Sequence, residues 1–492
     1  MPSVQTAPPM QIAAPRNWNE LSLLALVASV FLALSRYYGS VSDGFLEADA
    51  AVHFMYARHA FTEPHYFVDI WGRPIKTLLY SWPAWQFGRA GVQWMSALLA
   101  IASAGLCYAT ARRLGMERPA IAFIAMLAQP LVFLHSFSEL TELPFIFLLC
   151  LALWAYCRRW YEIAAFVVSL LPLARPEGFG LIGVFAVAIL LHRRWLAAPI
   201  CFAGVIGWSY IGWELYGRNP AAGPHLWLMT HWPYAGQSAY KPGSLFHFAA
   251  LLPAVTGPAI FPAVLVGLWQ TLTHFRPLKQ LTHEQRCMVL VTLFGLGVLV
   301  GHSVLFYLGK MASSGELRYM MVAAPTWALA AAAGVPVICK RFRFRWPVAA
   351  TCVAAVLPLS VNLRIDVGPV HFGYPVLPVV LNPDWNEAKR LMQELEASGY
   401  LADDTKLMAS HPAVYYFADI SRFGHRAPDF SHEEVARRSQ FTIAIWDQMY
   451  SLNNSDRRRI IPAEEFLKAG WVEIPTELGP GWRVFRSTEQ AR

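Results

Sequence analysis

Apolar residues recur along the chain in long runs, many of them long enough to cross a hydrocarbon core of about 30 Å. Taken in order, the runs predict eleven spans, at 18–38, 89–111, 119–136, 143–157, 161–175, 177–192, 195–217, 246–272, 287–308, 319–339 and 346–363. The runs 161–175 and 177–192 are short and meet at Arg175-Pro176-Glu177, as a tight pair of spans or as one re-entrant element. Two spans keep the charge pattern in phase. Alternate loops carry Arg112/Arg113/Arg118, Arg158/Arg159, Arg193/Arg194, Arg276/Lys279/Arg286 and Lys340/Arg341/Arg343/Arg345. The positive-inside rule places these in the cytoplasm. The loop 39–88, the turn 137–142, the loop 218–245, the segment 309–318 and the tail from Arg364 then face out, and Glu47, Asp49, Glu63, Asp69, Glu139, Glu142, Glu177 and Glu316 gather there.

Composition agrees with this reading. Of the 492 residues 56% are hydrophobic and 15% charged, against about 25% charged in soluble domains. All seven cysteines lie in or beside apolar runs, so neither a disulfide framework nor a Cys/His metal spacing is indicated. The formal charge of +8 is spread over short loops, which argues against a nucleic-acid partner. Residues 1–17, rich in Pro and Ala, read as a disordered cytoplasmic lead-in.

The tail, 364–492, reads as a small extracytoplasmic α/β domain. An amphipathic helix from Asp384 to about Ala397, with Trp385, Leu391, Met392 and Leu395 on its apolar side, precedes strands at Lys406–Ala409, Phe441–Trp446, Trp471–Ile474 and Trp482–Phe485. It has no Gly-rich phosphate loop and no nucleophile elbow, which makes it a docking or lid domain.

In the first outer loop, Val52, Met55, Tyr56 and His59 recur at helical spacing, predicting an amphipathic helix on the membrane surface. Asp49 stands directly before it, either as its N-cap or as a general base at the mouth of a lipid-facing cavity. Glu47 converges with Asp49 only if the chain between them is extended. His53, one turn on, is an interfacial histidine or a substrate contact.

Several pieces taken together resemble a family. They are Glu47-Ala-Asp49, Val52-His53-Phe-Met-Tyr56-Ala-Arg58, Gly72-Arg-Pro-Ile-Lys-Thr-Leu-Leu79, Ser138-Glu-Leu-Thr-Glu142, Ala174-Arg-Pro-Glu-Gly178 and Ser314-Gly-Glu-Leu-Arg-Tyr319. In order and in spacing against the spans, over roughly residues 20 to 340, the chain is similar to the GT-C membrane glycosyltransferases, closest to the mannosyltransferase-like members related to protein O-mannosyltransferases. The resemblance implies a mostly α polytopic fold with the catalytic acid in the first outer loop, within a transmembrane unit spanning 18–363. It also implies a sugar donor on a polyprenyl phosphate, mannose among the candidates. No cofactor is expected. By position Asp49 is the favoured base and Glu47 the second choice.

The chemistry fits that layout. A lipid phosphate leaves as a stable anion, so one carboxylate base and nearby cations suffice, whereas a glycoside hydrolase needs two opposed carboxyls. Arg175, Lys241 and Arg318 are the first candidates for the phosphate, with Arg73 and Lys76 behind them. For Arg318 and Lys241 the alternative is snorkelling at the interface. For Arg175 it is a structural pair with Glu142 or Glu177. Glu142, Glu177, Glu316 and Tyr240 complete the substrate-contact candidates. Tyr240 belongs to an aromatic loop, with Trp227, Trp232 and Tyr234, that suits an interface belt or sugar stacking. The acceptor is open: protein, lipid or polysaccharide. Two other readings are a metal-dependent oligosaccharide transferase with a divalent cation on Glu47 and Asp49, and a transporter, for which mid-span polar residues are few: Glu214, His135, His302.

Overall fold

A computed structural model of the chain describes residues 18–217, 238, 241–273, 281–343, 351, 364–367, 370–452, 460–479 and 481–487. The lead-in 1–17, Tyr240 and nearly all of the expected spans' last member, 346–363, lie outside the described residues. Ahead of the tail the helices are α1 Trp18–Val41, α2 Ala48–His59, α3 Pro74–Arg113, α4 Ala120–Leu127, α5 Pro130–His135, α6 Glu142–Cys157, α7 Tyr161–Ala174, α8 Gly178–Leu190, α9 Ala203–Gly212, α10 His247–Thr256, α11 Phe261–Thr273, α12 His283–Leu308, α13 Arg318–Met321 and α14 Ala324–Arg341.

Three of these, α1, α3 and α12, are long and apolar enough to cross a membrane, and α10–α11 adds a fourth if its two halves count as one span. Shorter apolar helices, α6, α7 and α8, fill the bundle; α6, with 16 residues, is about 24 Å long. Some expected spans are broken. Gln129 is held extended (ψ 122°) by the proline after it, which splits 119–136 into α4 and α5. The run 246–272 turns by 113° between α10 and α11. Every residue of α4 and α5 is buried, so this pair is a central strut rather than a lipid-facing span. In contrast, α1 turns Leu26, Val30, Leu34 and Tyr37 outward. Backbones meet closely where α11 crosses α14: a Cβ on Gly267 would stand 1.9 Å from the Ala330 carbonyl oxygen, so only glycine fits.

The first loop departs from the expected surface helix. Residues on every side of α2 are buried, among them Ala50, Ala51, His53, Phe54, Met55, Tyr56 and Ala57, because the helix is wedged between α3 and the tail. The exposed apolar stripe lies instead on the opening turns of α3, at Leu78, Trp82 and Trp85, before Gly88 (φ 59°, ψ −148°) interrupts the helix near the expected start of the second span. Such a stripe suits a membrane interface.

In the tail, β1 Arg364–Val367 and β2 Val370–Gly373 pair antiparallel, a hairpin the apolar pattern does not reveal. Helix α15 Pro383–Ala397 and strands β3 Lys406–Ala409, β4 Thr442–Asp447, β5 Val472–Ile474 and β6 Trp482–Arg486 fall close to their expected places. The sheet order is β3-β4-β6-β5, with β3 and β4 parallel and the other pairs antiparallel. Trp385 and Leu391 of α15 belong to the main core, while Met408, Phe466, Trp471 and Phe485 form a second core on the sheet.

The tail is joined to the bundle through the chain between α1 and α2. Phe45 packs against Trp385 (5.2 Å between ring centroids) and Tyr416 (5.1 Å). Gly44 N–H donates to Val379 O at 3.0 Å. Arg89 of α3 holds the same turn: it bonds Glu139 (Nε–Oε1 2.7 Å) and the Asp43 carbonyl (3.1 Å), and donates also to Gly44 O. Glu139 is fully buried, so removing its cation leaves an uncompensated charge, a cost of about 3–5 kcal/mol. Arg89→Ala is therefore expected to lower the unfolding midpoint of the detergent-purified protein and to make the tail protease-sensitive, and Arg89→Ala/Glu139→Gln to recover part of the loss. Equal midpoints for wild type and Arg89→Ala would refute the clamp.

Candidate active site

Asp49 is the second residue of α2, not its cap: the N-cap is Glu47, extended at φ −144°, ψ 149°, and no side chain caps the helix. The Asp49 carboxylate is thus free to turn away from the backbone, and its Oδ2 accepts from Arg318 Nη2 at 2.8 Å. Arg318, just after the 309–317 segment, also donates through Nε to Glu316. Its side chain is 12% exposed, so it does not snorkel.

A second ion-pair group stands beside the first. Arg175, between α7 and α8, donates from Nη1 to Glu142 Oε1 (2.5 Å) and Thr141 Oγ1 (3.0 Å), and from Nη2 to Glu177 Oε1 (3.0 Å). His302 of α12 places Nε2 3.4 Å from Glu177 Oε1 and stacks on Tyr319 (5.1 Å, 12°). Both arginines also lie near the Tyr319 ring, at 5.9 Å for Arg175 and 6.0 Å for Arg318.

Apart from Glu142, these groups line one wall of a cavity of about 550 Å³. Asp49, His53, Arg73, Arg175, Glu177, Glu316 and Arg318 supply its polar part; Leu181, Val184, Leu293, Phe294, Val298 and Leu305, from α8 and α12, supply an apolar part. Arg73 reaches the wall because its backbone (φ 61°) turns sharply before Pro74 opens α3, with Nη1 bonded to Ile70 O at 2.8 Å. Gly72 before it is sterically required: a Cβ there would lie 2.3 Å from the Tyr56 ring. His53 is buried and stacked on Trp71 (4.6 Å, 17°). Burial, with Lys76 and Arg73 nearby, holds its imidazole neutral, well below the usual histidine range.

Of the residues singled out from sequence, Asp49, His53, Arg175, Glu177, Glu316 and Arg318 come together on this wall. Glu142 stands behind Arg175, fully buried. Glu47 is beside the group but not on the wall; burial, and next Glu316, push its carboxyl up to about 7. Lys241 does not join them: it is exposed, ahead of α10, and off the cavity. Lys76 is also off the wall, fully buried with its ammonium on the His53 carbonyl. Trp71, His302 and Tyr319 were not assigned to the site from sequence; the spacing of Arg318-Tyr319 beside Glu316 was the only signal for the last. Among the described residues no group of three or more His, Cys, Asp or Glu side chains is placed to hold a metal ion.

No family model and no curated protein matches the chain. Among solved structures it is similar to ArnT from Cupriavidus metallidurans, both in the crystal structure bound to undecaprenyl phosphate and in the apo state. The TM-score is 0.61 and the identity 13% in each case, over 96% of this chain and 98% of that one for the bound form, and 95% and 98% for the apo form. At that identity the likeness shows a shared fold alone.

Because folding raises the Glu47 pKa from an ordinary 4.5 to about 7, the folded state binds this proton more tightly than the unfolded chain. The stability it contributes is present below about 4.5 and is lost as pH rises through 7, to a ceiling of roughly 3 kcal/mol. Melting curves of Glu47→Gln should lose that slope between pH 4.5 and 7 and lie above wild type at pH 8. A Glu47→Gln profile parallel to wild type would show that Glu47 titrates normally.

Proposed function

We propose that the chain is an integral membrane glycosyltransferase that moves a sugar from a polyprenyl phosphate to a hydroxyl acceptor, with inversion, and that Asp49 is its base. The observation that carries this reading is the position of Asp49: on a cavity wall where a charged rim meets apolar helices, held by one oxygen to Arg318 at 2.8 Å. A lipid-linked phosphate sugar has that same division, with a charged head and a hydrocarbon tail. The fold shared with ArnT, a protein crystallised with undecaprenyl phosphate, supports the lipid class.

In the proposed step the acceptor oxygen bonds to the anomeric carbon as the bond from that carbon to the phosphate oxygen breaks. The acceptor proton passes to Asp49, and polyprenyl phosphate leaves as an anion. Arg73, Arg175 and Arg318 on the wall are the cations available to the phosphate, Arg as a fork that matches its oxygens. His53, neutral, is suited to a hydrogen bond rather than an ion pair. Mannose remains the sugar the sequence resemblance favours, and the acceptor class is open. With the basic loops in the cytoplasm, the cavity and the tail face outward, and residues 364–492 act as the docking or lid domain. The metal-dependent version, with a divalent cation on Glu47 and Asp49, is less well supported, since Asp49 Oδ2 already accepts from Arg318 and burial pushes the Glu47 carboxyl up to about 7.

Purified protein incubated with a panel of radiolabelled polyprenyl-phosphate sugars should release label from the lipid, and Asp49→Asn should slow that release about 10²–10⁴-fold. Turnover near wild type for Asp49→Asn would remove Asp49 from the reaction. Chelator should leave the rate unchanged; loss restored by manganese or magnesium would favour the metal-dependent reading.

A further inference from the structure

Three helices run from the cavity to the opposite end of the bundle. Helix α6 starts at Glu142 and ends at Cys157, α8 passes from Gly180 on the cavity wall to Leu190, and α12 passes from His302 back to His283. At that far end four rings meet. His192 and His283 lie 5.3 Å apart between ring centroids, Tyr161 stacks on His192 (4.9 Å, 28°), and the Tyr156 hydroxyl is 3.1 Å from His192 Nε2. His283 directs Nε2 at the Cys157 carbonyl at 3.2 Å. The residue is only 8% exposed, and its Nδ1 has no hydrogen-bond partner among the described residues.

Positive charge converges on these rings from three separate segments. Arg159 sits in the turn between α6 and α7, with its N–H on Tyr156 O at 2.9 Å. Arg194 places its guanidinium carbon 5.7 Å from the Tyr161 ring centroid. Arg286 lies in the first turn of α12, three residues past His283. All three act electrostatically on His192, and neither Arg159 nor Arg194 forms an ion pair among the described residues. Among the described residues the carboxylates on this face are Glu117, which pairs with Lys340, Glu162, which is exposed in the first turn of α7, and Glu284, which interacts with His283 and Arg113. Membrane topology asks for basic residues at one face, but it does not ask that three of them crowd two imidazoles. Crowding of like charge is unfavourable unless an anion joins it. Apolar groups border the same cluster: Leu191, Trp195 and Leu196 are 52%, 67% and 91% exposed and lie within five residues of Arg194. A ligand that brings both an anion and hydrocarbon chains satisfies both sets of groups.

We propose that this end of the bundle is a binding site for one anionic phospholipid, its phosphate held by Arg159, Arg194 and Arg286 with the His283 ring, and its chains laid over Leu191, Trp195 and Leu196. The site is separate from the cavity and does not depend on the reaction proposed for it.

The test uses the full chain purified in mild detergent and reconstituted in nanodiscs, and reads bound lipid by native mass spectrometry and stability by thermal unfolding. Wild type should retain one phosphatidylglycerol in preference to phosphatidylcholine, and phosphatidylglycerol should raise its melting midpoint. Arg159→Gln/Arg194→Gln should bind phosphatidylglycerol about tenfold or more weakly and lose the midpoint shift. The single variant Arg194→Gln, at an exposed position, gives a smaller loss in the same direction if the double variant does not fold. Equal retention of the two lipids by wild type, or wild-type retention by the variants, overturns the proposal. So does an equal midpoint shift from inorganic phosphate alone, which would make this a site for a soluble anion.

Discussion

A guanidinium buried beside apolar helices has to be neutralised where it stands, because removing an unpaired charge from water costs several kcal/mol. That constraint organises this molecule. Arg318 draws the first loop, through Asp49, onto the segment that carries Glu316. Arg175 draws the start of α6, through Glu142, onto the turn that carries Glu177. Arg89 draws Glu139 and the carbonyls of the 42–44 turn together. Each arginine joins segments far apart in sequence, and the first two clusters together supply the polar wall of the cavity.

Helix α2 is held in place within that arrangement from two sides. Its position is fixed on one side by α3 and on the other by the tail: Phe54 packs on Tyr416 (5.8 Å) and Arg58 pairs with Asp419 (3.0 Å). Tyr66, in the loop beyond it, meets Ser421 at 2.9 Å between hydroxyl oxygens. The carboxylate of Asp49 is therefore placed by packing of the kind found in water-soluble cores, not by the membrane. The tail thus buttresses the helix that carries the candidate base, although none of its described residues lines the cavity wall.

Much of this was legible in the chain and some was not, for identifiable reasons. The tail's helix and four strands were readable because a half-buried strand or amphipathic helix writes its period directly into the sequence, as Trp385, Leu391, Met392 and Leu395 do. The same logic failed for α2, whose Val52, Met55, Tyr56 and His59 suggested one apolar face; burial all round leaves no face to read. Spans were legible as apolar runs but their breaks were not, since Pro130 marks a break only where the bundle leaves Gln129 room to extend. In the site, Arg175 and Arg318 were found as charges at span edges, and Asp49 as the acid ahead of the first loop's helix. Lys241, a charge in the same setting, is exposed and stays off the cavity. His302 looked like an isolated mid-span polar residue, because nothing in a linear sequence shows that Glu177 lies across from it at 3.4 Å.

Charge balance then limits what the cavity admits. On its wall Arg73, Arg175 and Arg318 face Asp49, Glu177 and Glu316, so the polar part is close to neutral before any ligand arrives. A phosphodiester brings one further negative charge into a region bordered by apolar helices, where an uncompensated charge is costly. Either one ion pair loosens or a neighbouring acid is neutral. Glu47, whose carboxyl is pushed up to about 7 by burial and by Glu316, is the acid beside Asp49 able to hold a proton near neutral pH. Asp49, two residues on, is held instead by Arg318 through Oδ2 at 2.8 Å. Two carboxyls two residues apart thus stand in different surroundings, Glu47 in a desolvated position beside Glu316 and Asp49 against the Arg318 guanidinium.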